Sequence, residues 1–373
     1  GINIDLSKTL LRKNISYTEK LYKEYLKKNF SIIEIHNRPE SLIYLLKKNI
    51  KSKLIFVFHN NPKEMRGSSS TKERQYIAEN TDQVYFVSKW VKDKFFEGLP
   101  YKHRNNCEIL YPAIKPLKKF PSKQKLIIFS GKLNSSKGYD IYAKSIIKIL
   151  NRYNDWKAVA IGNEPREKFN FKHKNFKVLD WIQHKSILNY YSNASISVVP
   201  SKWLEPFGRT AMESAAHGCA TITSKNGGLP ETFYNDLFLS KLTVDELFNK
   251  ISGLIRNPIK MKKIQRKNFT NVRHKLDFKV KKIDDLKKFY LDSNFYINKN
   301  SKLKILHISQ FDERNDHRLF NISISNKITK GFIRNEHDVI NFSYRNYANR
   351  IFLKNKNRNL NDKILSIVEN YRP

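Results

Sequence analysis

Short apolar runs alternate with stretches of helical spacing along this chain, and the alternation starts twice. SIIEI (Ser31–Ile35), KLIFVF, QVYF and CEIL make the first series. KLIIFS, WKAVAI, FKVL, ISVV and CATIT make the second. Runs of this length suit strands covered on both faces, and helical patterns between them suit right-handed crossovers. The expectation is an α/β protein with mostly parallel sheets. In such sheets ligands gather beyond the carboxyl ends of the strands. His36 and His59 both stand at such ends.

The Pro- and Lys-rich stretch KPLKKFPSKQ (Lys115–Gln124) separates the two series and reads as a linker. A length of 373 residues is too great for one small core. With 40% hydrophobic residues, 24 Phe and 19 Tyr, there is enough apolar material for two packed interiors. The net charge of +37 is spread through every segment, among Asn and Ile, and no basic–aromatic RNA motif, finger spacing or basic heptad accompanies it. We therefore expect no nucleic-acid partner; a basic surface of this kind also suits an anionic membrane. No run reaches the ~18–20 apolar residues that span a bilayer. Cys107 and Cys219 lack metal or redox spacing and read as free thiols of a reducing compartment. The opening GINIDLSK has neither Met nor a leader layout, which suggests that an upstream part was removed or that the chain is a fragment.

Candidate ligand residues cluster in the second series. Lys132 and Lys137 sit in a glycine-flanked loop, GKLNSSKG, after a strand and before a helix, where two ammonium groups suit a diphosphate. The loop matches neither phosphate-loop nor dinucleotide fingerprint. In EPFGRTAMESAAHG a helix is expected from about Gly208 to His217, with its first amides unpaired and Gly208 permitting close approach. Glu205 precedes that helix and Glu213 lies within it, so two carboxylates flank an anion-binding start. A ligand with hydroxyls at both ends and phosphates between them would use all three features; a nucleotide-sugar is such a molecule. NGGLPE adds Gly227, Gly228 and Glu231.

FSGKLNSSKG, VVPSKWLEPFGRTAMESAAHGCATITSKNGGLPET and the closing helix together resemble a family-4 glycosyltransferase of the GT-B fold. The resemblance covers Lys125–Ser293 in good order and Ile2–Ile114 more loosely. It implies two facing Rossmann-like domains and metal-independent sugar transfer from a nucleoside-diphosphate donor with retained anomeric configuration. It requires no cofactor. By the resemblance, Gly131, Lys132 and Lys137 hold the diphosphate, although the family usually has Arg where Lys132 stands. Glu205 binds donor-sugar hydroxyls, Glu213 the ribose, and the backbone of Phe207, Gly208 and Arg209 the sugar or phosphate. Trp181, Ile182 and Gln183 line the base, with Asp180 replacing a common Gly. His59 matches the histidine that relatives place across the cleft near the transferred sugar. His59, Glu205, Lys132 and Lys137 are thus the candidate catalytic residues, with no metal. The implied acceptor is a bacterial surface glycan or lipid-linked glycan, such as lipopolysaccharide or capsule. The implied location is cytoplasmic, with a peripheral contact at the inner face of the cell membrane.

These readings divide the chain into residues 1–118, an incomplete N-terminal acceptor-side domain; 119–295, the donor domain; and 302–373, a partial α/β unit. The tail's KILHIS and DVINFS look like the start of such a domain. We expect the beginning of a second, tandem transferase, with a permuted completion of the first domain as the alternative. Two other functions stay open: a nucleotide-sugar epimerase of the same fold, and a donor-binding module without catalysis.

Overall fold

The computed structural model describes residues 13–28, 30–234, 236–292, 304–309, 324–334 and 337–343. The chain divides into two units, one comprising Gly1–Val87, Val91–Ile109 and Asp284–Pro373, the other Ser88–Trp90 and Leu110–Ile283.

The first unit is built on a parallel sheet of β1 (Ile32–His36), β2 (Lys53–Phe58), β3 (Gln83–Phe86), β4 (Cys107–Ile109), β10 (Lys304–Ser309) and β11 (Asp338–Ser343), in the order β11-β10-β1-β2-β3-β4. β1 and β3 are buried along their whole length, as uninterrupted apolar runs demand. Phe56, Phe58, Phe86 and Phe95 interlock at ring-centroid distances of 4.6–5.6 Å. Each such ring contributes about 1.5–3 kcal/mol on leaving water. The helix Thr71–Asn80 starts on a capping box: Ser70 Oγ accepts from the Glu73 amide at 3.2 Å, and Glu73 Oε2 accepts from the Ser70 amide at 3.0 Å.

Both described tail strands belong to this sheet. β10 runs parallel to β1, with Ile32 opposite Ile305 and Glu34 opposite His307, and β11 pairs with β10 on the far side. This is the placement of the permuted-completion alternative; pairing locates the strands and says nothing of their origin. The rest of the tail, including ILSIVENYRP, lies outside the described residues.

The second unit carries β5 (Gln124–Ser130), β6 (Lys157–Ile161), β7 (Phe176–Leu179), β8 (Ala194–Val199) and β9 (Ala220–Thr223), all parallel, in the order β7-β6-β5-β8-β9. The helix Tyr139–Arg152 buries Tyr142, Ile146, Ile149 and Leu150 against Ile127, Phe129, Trp156, Leu247 and Ile251. Order reverses between β5 and β8, the switch point at which the loops leaving adjacent strands diverge and open a crevice. The loops carrying Lys132–Lys137 and Glu205–Gly208 are the ones that leave β5 and β8. Cys107 and Cys219 are free and buried, and burial pushes their thiols up to about 12 and about 11.

Candidate functional site

At the switch point of the second unit, two loops close on each other. Asn134 Oδ1 accepts from the Lys137 amide at 3.0 Å, shaping a short helical turn, Ser135–Lys137, after β5. Gly138 follows at φ 72°, where a Cβ would lie 2.0 Å from the Pro200 carbonyl oxygen. No larger residue lets the β5 loop approach the β8 loop this closely. The approach delivers Lys137 Nζ to Glu205 Oε1 at 2.6 Å, with the ammonium also 4.3 Å from the centroid of the Trp203 ring. Ammonium, carboxylate and indole therefore share one small surface, with Glu205 itself 9% exposed. Glu164 lies near Lys132, gripped by both arms of Arg166 at 2.7 Å; that grip holds its carboxyl down at about 2.

Glu205 owes its position to the Gly-Gly loop. Its carbonyl accepts from the Gly228 amide at 2.7 Å, and Gly227, at φ 65°, leaves no room for a side chain: a Cβ would stand 2.2 Å from that same oxygen. The expectation assigned Gly227 and Gly228 to the ligand. The Gly228 amide is taken up by the backbone carbonyl of Glu205, so the loop braces Glu205.

The helix after Glu205 runs Arg209–Ala216, one residue shorter at each end than expected, with Gly208 at its cap. Ala211 and Met212 bond back to the Gly208 carbonyl, while the amides of Arg209 and Thr210 come too early to find a carbonyl within the helix. Those donors and the positive helix end face the region where Phe207, Gly208 and Arg209 were expected to meet an anion. Glu213 is buried and receives Arg209 Nη2 at 2.7 Å. His184 Nε2 lies 3.1 Å from the same oxygen, without the angle of a hydrogen bond. His217 donates from Nδ1 to the Glu213 carbonyl at 2.7 Å, and burial lowers its basicity.

Trp181, Ile182 and Gln183 form the loop between β7 and the helix His184–Asn193; Trp181 and Ile182 are half-buried and Gln183 is exposed. Glu231 is engaged elsewhere. Its carboxylate accepts from the amides of Lys89 and Trp90 at 2.6 and 2.9 Å and from the Tyr111 hydroxyl at 2.9 Å. Its role here is to tie chain segments together within the second unit.

In the first unit, His59 is half-buried just past the end of β2. Its backbone amide donates to Asn37 Oδ1 at 3.0 Å, and its Nε2 lies 2.8 Å from His36 Nδ1. His36 Nε2 lies 2.8 Å from Glu34 Oε1. Asn37, Arg38, Glu40, Asn60, Glu64 and Arg66 line a neighbouring polar cavity of ≈ 250 Å³ at the carboxyl ends of β1 and β2. Sequence reasoning missed Glu34, Trp203, Asn134 and His184. Only Glu34 left a sequence signal, its spacing of two from His36 on a strand. Among the described residues, no group of three or more His, Cys, Asp or Glu is placed to hold a metal ion, and no helix is long and apolar enough to cross a membrane.

Residues 112–271 match the family described as Glycosyl transferases group 1. Over 273 residues the chain is 22% identical to a putative glycosyltransferase, YtcC, of Bacillus subtilis, covering 64% of this chain and 66% of that protein. A second relative, spore coat protein SA of Bacillus subtilis, is 23% identical over 58% of this chain and 65% of its own length. The matched stretch thus spans just under two thirds of these relatives. Among solved structures, Anabaena Alr3699/HepE in complex with UDP-glucose is similar with a TM-score of 0.60 at 13% identity, over 75% of this chain and 84% of that one. A glycosyltransferase from Rickettsia africae is similar with a TM-score of 0.59 at 19% identity, over 80% and 84%. The fold class is GT-B, and the stretch that matches the group 1 family lies within the second unit.

Proposed function

We propose that the chain transfers a sugar from a nucleoside-diphosphate-sugar to an acceptor hydroxyl, with retained anomeric configuration and without a metal. The observation that carries this reading is the Lys137–Glu205 pair at the switch point, beside a helix start with unpaired amides. A diphosphate takes the ammonium and the amides; the carboxylate, released from its ion pair, accepts hydroxyl hydrogen bonds from the donor sugar. Lys132 and Lys137 then stabilise the charge that develops on the leaving diphosphate. The leaving phosphate takes the acceptor proton on the same face, which accounts for retention without an enzymic nucleophile. Glu213, steadied by Arg209, receives the ribose hydroxyls, and the Trp181–Gln183 loop receives the base.

The UDP-glucose held by Anabaena Alr3699/HepE makes UDP-glucose the first donor to try. The polar cavity bearing Arg38, Glu40 and Arg66 suits a hydroxyl-rich acceptor, for which we propose a surface or lipid-linked glycan. The charge of +37 supports a peripheral place at the inner face of an anionic membrane.

The test is to incubate the chain with UDP-glucose and a panel of other nucleotide-sugars, with and without glycan acceptors. Acceptor-dependent release of nucleoside diphosphate, a product of unchanged anomeric configuration and indifference to EDTA are expected. Donor turnover to an altered nucleotide-sugar without acceptor would make the chain an epimerase. Donor binding with no turnover in any combination would leave a binding module and overturn transfer.

A further inference from the structure

The loop that leaves β8 carries a tryptophan that core packing does not explain. Trp203 is 41% exposed, and with Leu204 beside it at 46% it sets apolar surface in water next to buried Glu205. An indole in that position forgoes much of the free energy that burial would supply. What it has gained is a cation. Lys137 Nζ stands over its ring, 4.3 Å from the centroid, inside the ~6 Å reach of a cation–π attraction. The backbone fixes this meeting. The Ser136 carbonyl, one residue before Lys137, accepts from the amides of both Lys202 and Trp203 at 2.9 Å. Asn226 Nδ2 donates to the carbonyls of Ser201 and Lys202 at 2.9 and 3.0 Å, and Ser201 Oγ donates to that of Trp203 at 3.2 Å. The segment that bears the indole is thus tied to the lysine's own turn on one side and to the start of the NGGLPE loop on the other.

We infer that Trp203 is a positioning residue for Lys137: its indole face keeps the ammonium at the switch point while Glu205 exchanges that ammonium for the hydroxyls of a donor sugar. The inference deepens the proposed transfer and rests on that reading for what Lys137 and Glu205 receive. The ion pair at 2.6 Å does not hold the lysine through the exchange, because the carboxylate that makes it turns to the ligand. A lysine held by that carboxylate alone would then recover the freedom of its long side chain, and the diphosphate would have to order it again. The ring contact survives the exchange. An ammonium has three N–H bonds, so one turned to the ring leaves two for phosphate oxygens. The role calls for an electron-rich face. Leucine would pack beside the lysine's stem but offers no such face, and tryptophan is the best of the aromatic side chains at attracting a cation.

The experiment is a calorimetric titration of the whole chain with UDP, ADP and GDP. It compares wild type, Trp203→Phe and Trp203→Leu, each also in a Lys137→Met background. Where a nucleoside diphosphate binds the wild type, Trp203→Leu should weaken it by about 2–10-fold and Trp203→Phe by less. In Lys137→Met neither change at Trp203 should weaken binding further, because the ring has no ammonium left to hold. Spectra of the ¹³C-lysine-labelled chain supply a signal that needs no ligand. An ε-methylene shifted upfield by the indole ring current should vanish in Lys137→Met and return among the other lysines in Trp203→Leu.

Losses of equal size in both backgrounds would mean that the indole meets the ligand itself, as a platform for sugar or base, and overturn the inference. So would a Trp203→Leu variant that binds like the wild type, or lysine signals indifferent to that substitution. A shifted methylene in a chain that binds none of the three nucleotides upholds the indole's hold on Lys137 and sinks the proposed donor site instead.

Discussion

The two units solve the placement of polar groups in opposite ways. In the second unit the chemistry sits on loops at the sheet's switch point, and glycines admit the close approach that brings Lys137 to Glu205. In the first unit it sits within the sheet, as Glu34, His36 and His307 aligned across parallel strands and sealed by Lys287. Lys137 stays partly exposed, while Glu205 and Glu213 are about as buried as Glu34 and are held by cations of their own unit. Sheet groups are dehydrated, so each protonation state depends on its neighbour's.

The largest expected effect separates the two carboxylates of the second unit. Glu205→Ala should lower transfer by about 10²–10³-fold with secondary structure intact, the scale for a group aimed at transition-state charge or hydroxyls. Glu213→Ala should cost on the order of tenfold, mostly in KM. Equal activities for both variants would break the division of labour between them. Next in size is Gly227→Ala, which adds a Cβ 2.2 Å from the Glu205 carbonyl oxygen at φ 65°. Backbone strain and overpacking together predict about 2–5 kcal/mol lost in denaturant unfolding. An unchanged midpoint would show that the glycine loop does not hold Glu205.

The pH dependence of stability tests the other side of the contrast. Burial alone would raise the Glu34 carboxyl, but Lys287 and then His36 outweigh it and hold it well below the usual range. An unfolded glutamate titrates near 4.3, so this group's stabilisation is complete above about that pH and is lost as pH falls toward its folded value. Burial, then His36, likewise keeps His307 neutral far below its ordinary value. Its contribution begins to fade where an unfolded histidine protonates, near 6.5. In both cases the unfolded chain binds more protons, so the first unit should weaken steadily from about pH 7 downward. Denaturant midpoints measured between pH 8 and 4 check this; a flat profile contradicts it. The smallest effect is a local one: Ser70→Ala removes the capping box of Thr71–Asn80 and should cost about 1 kcal/mol in the same assay.

How much of this was legible follows from the same contrast. The second unit was readable because its signals are local. GKLNSSKG, Glu205 with Glu213, and the Gly-Gly loop each declare a backbone need or a charge within a few residues. Even there, the ion pair between Lys137 and Glu205 was not foreseen, since it joins two loops whose approach depends on the strand order. Glu231 and Gly228 were assigned to a ligand, and their observed partners are protein groups. In the first unit the strands themselves were readable, whereas the register of β1 against β10 was not. Nothing near Glu34 announces that His307 stands opposite it, because strand pairing at that separation leaves no periodic trace. His36 was noticed only as a strand-end histidine, and its bond to His59 needed both strands in place.

The most direct test of the account is a calorimetric titration of the chain with UDP, with ADP and GDP in parallel, in wild type and Lys137→Met. The account predicts that at least one nucleoside diphosphate binds the wild type and that losing the ammonium weakens it by about 10–100-fold, the worth of a charged hydrogen bond. Equal affinity in the two proteins would contradict a donor site at the switch point.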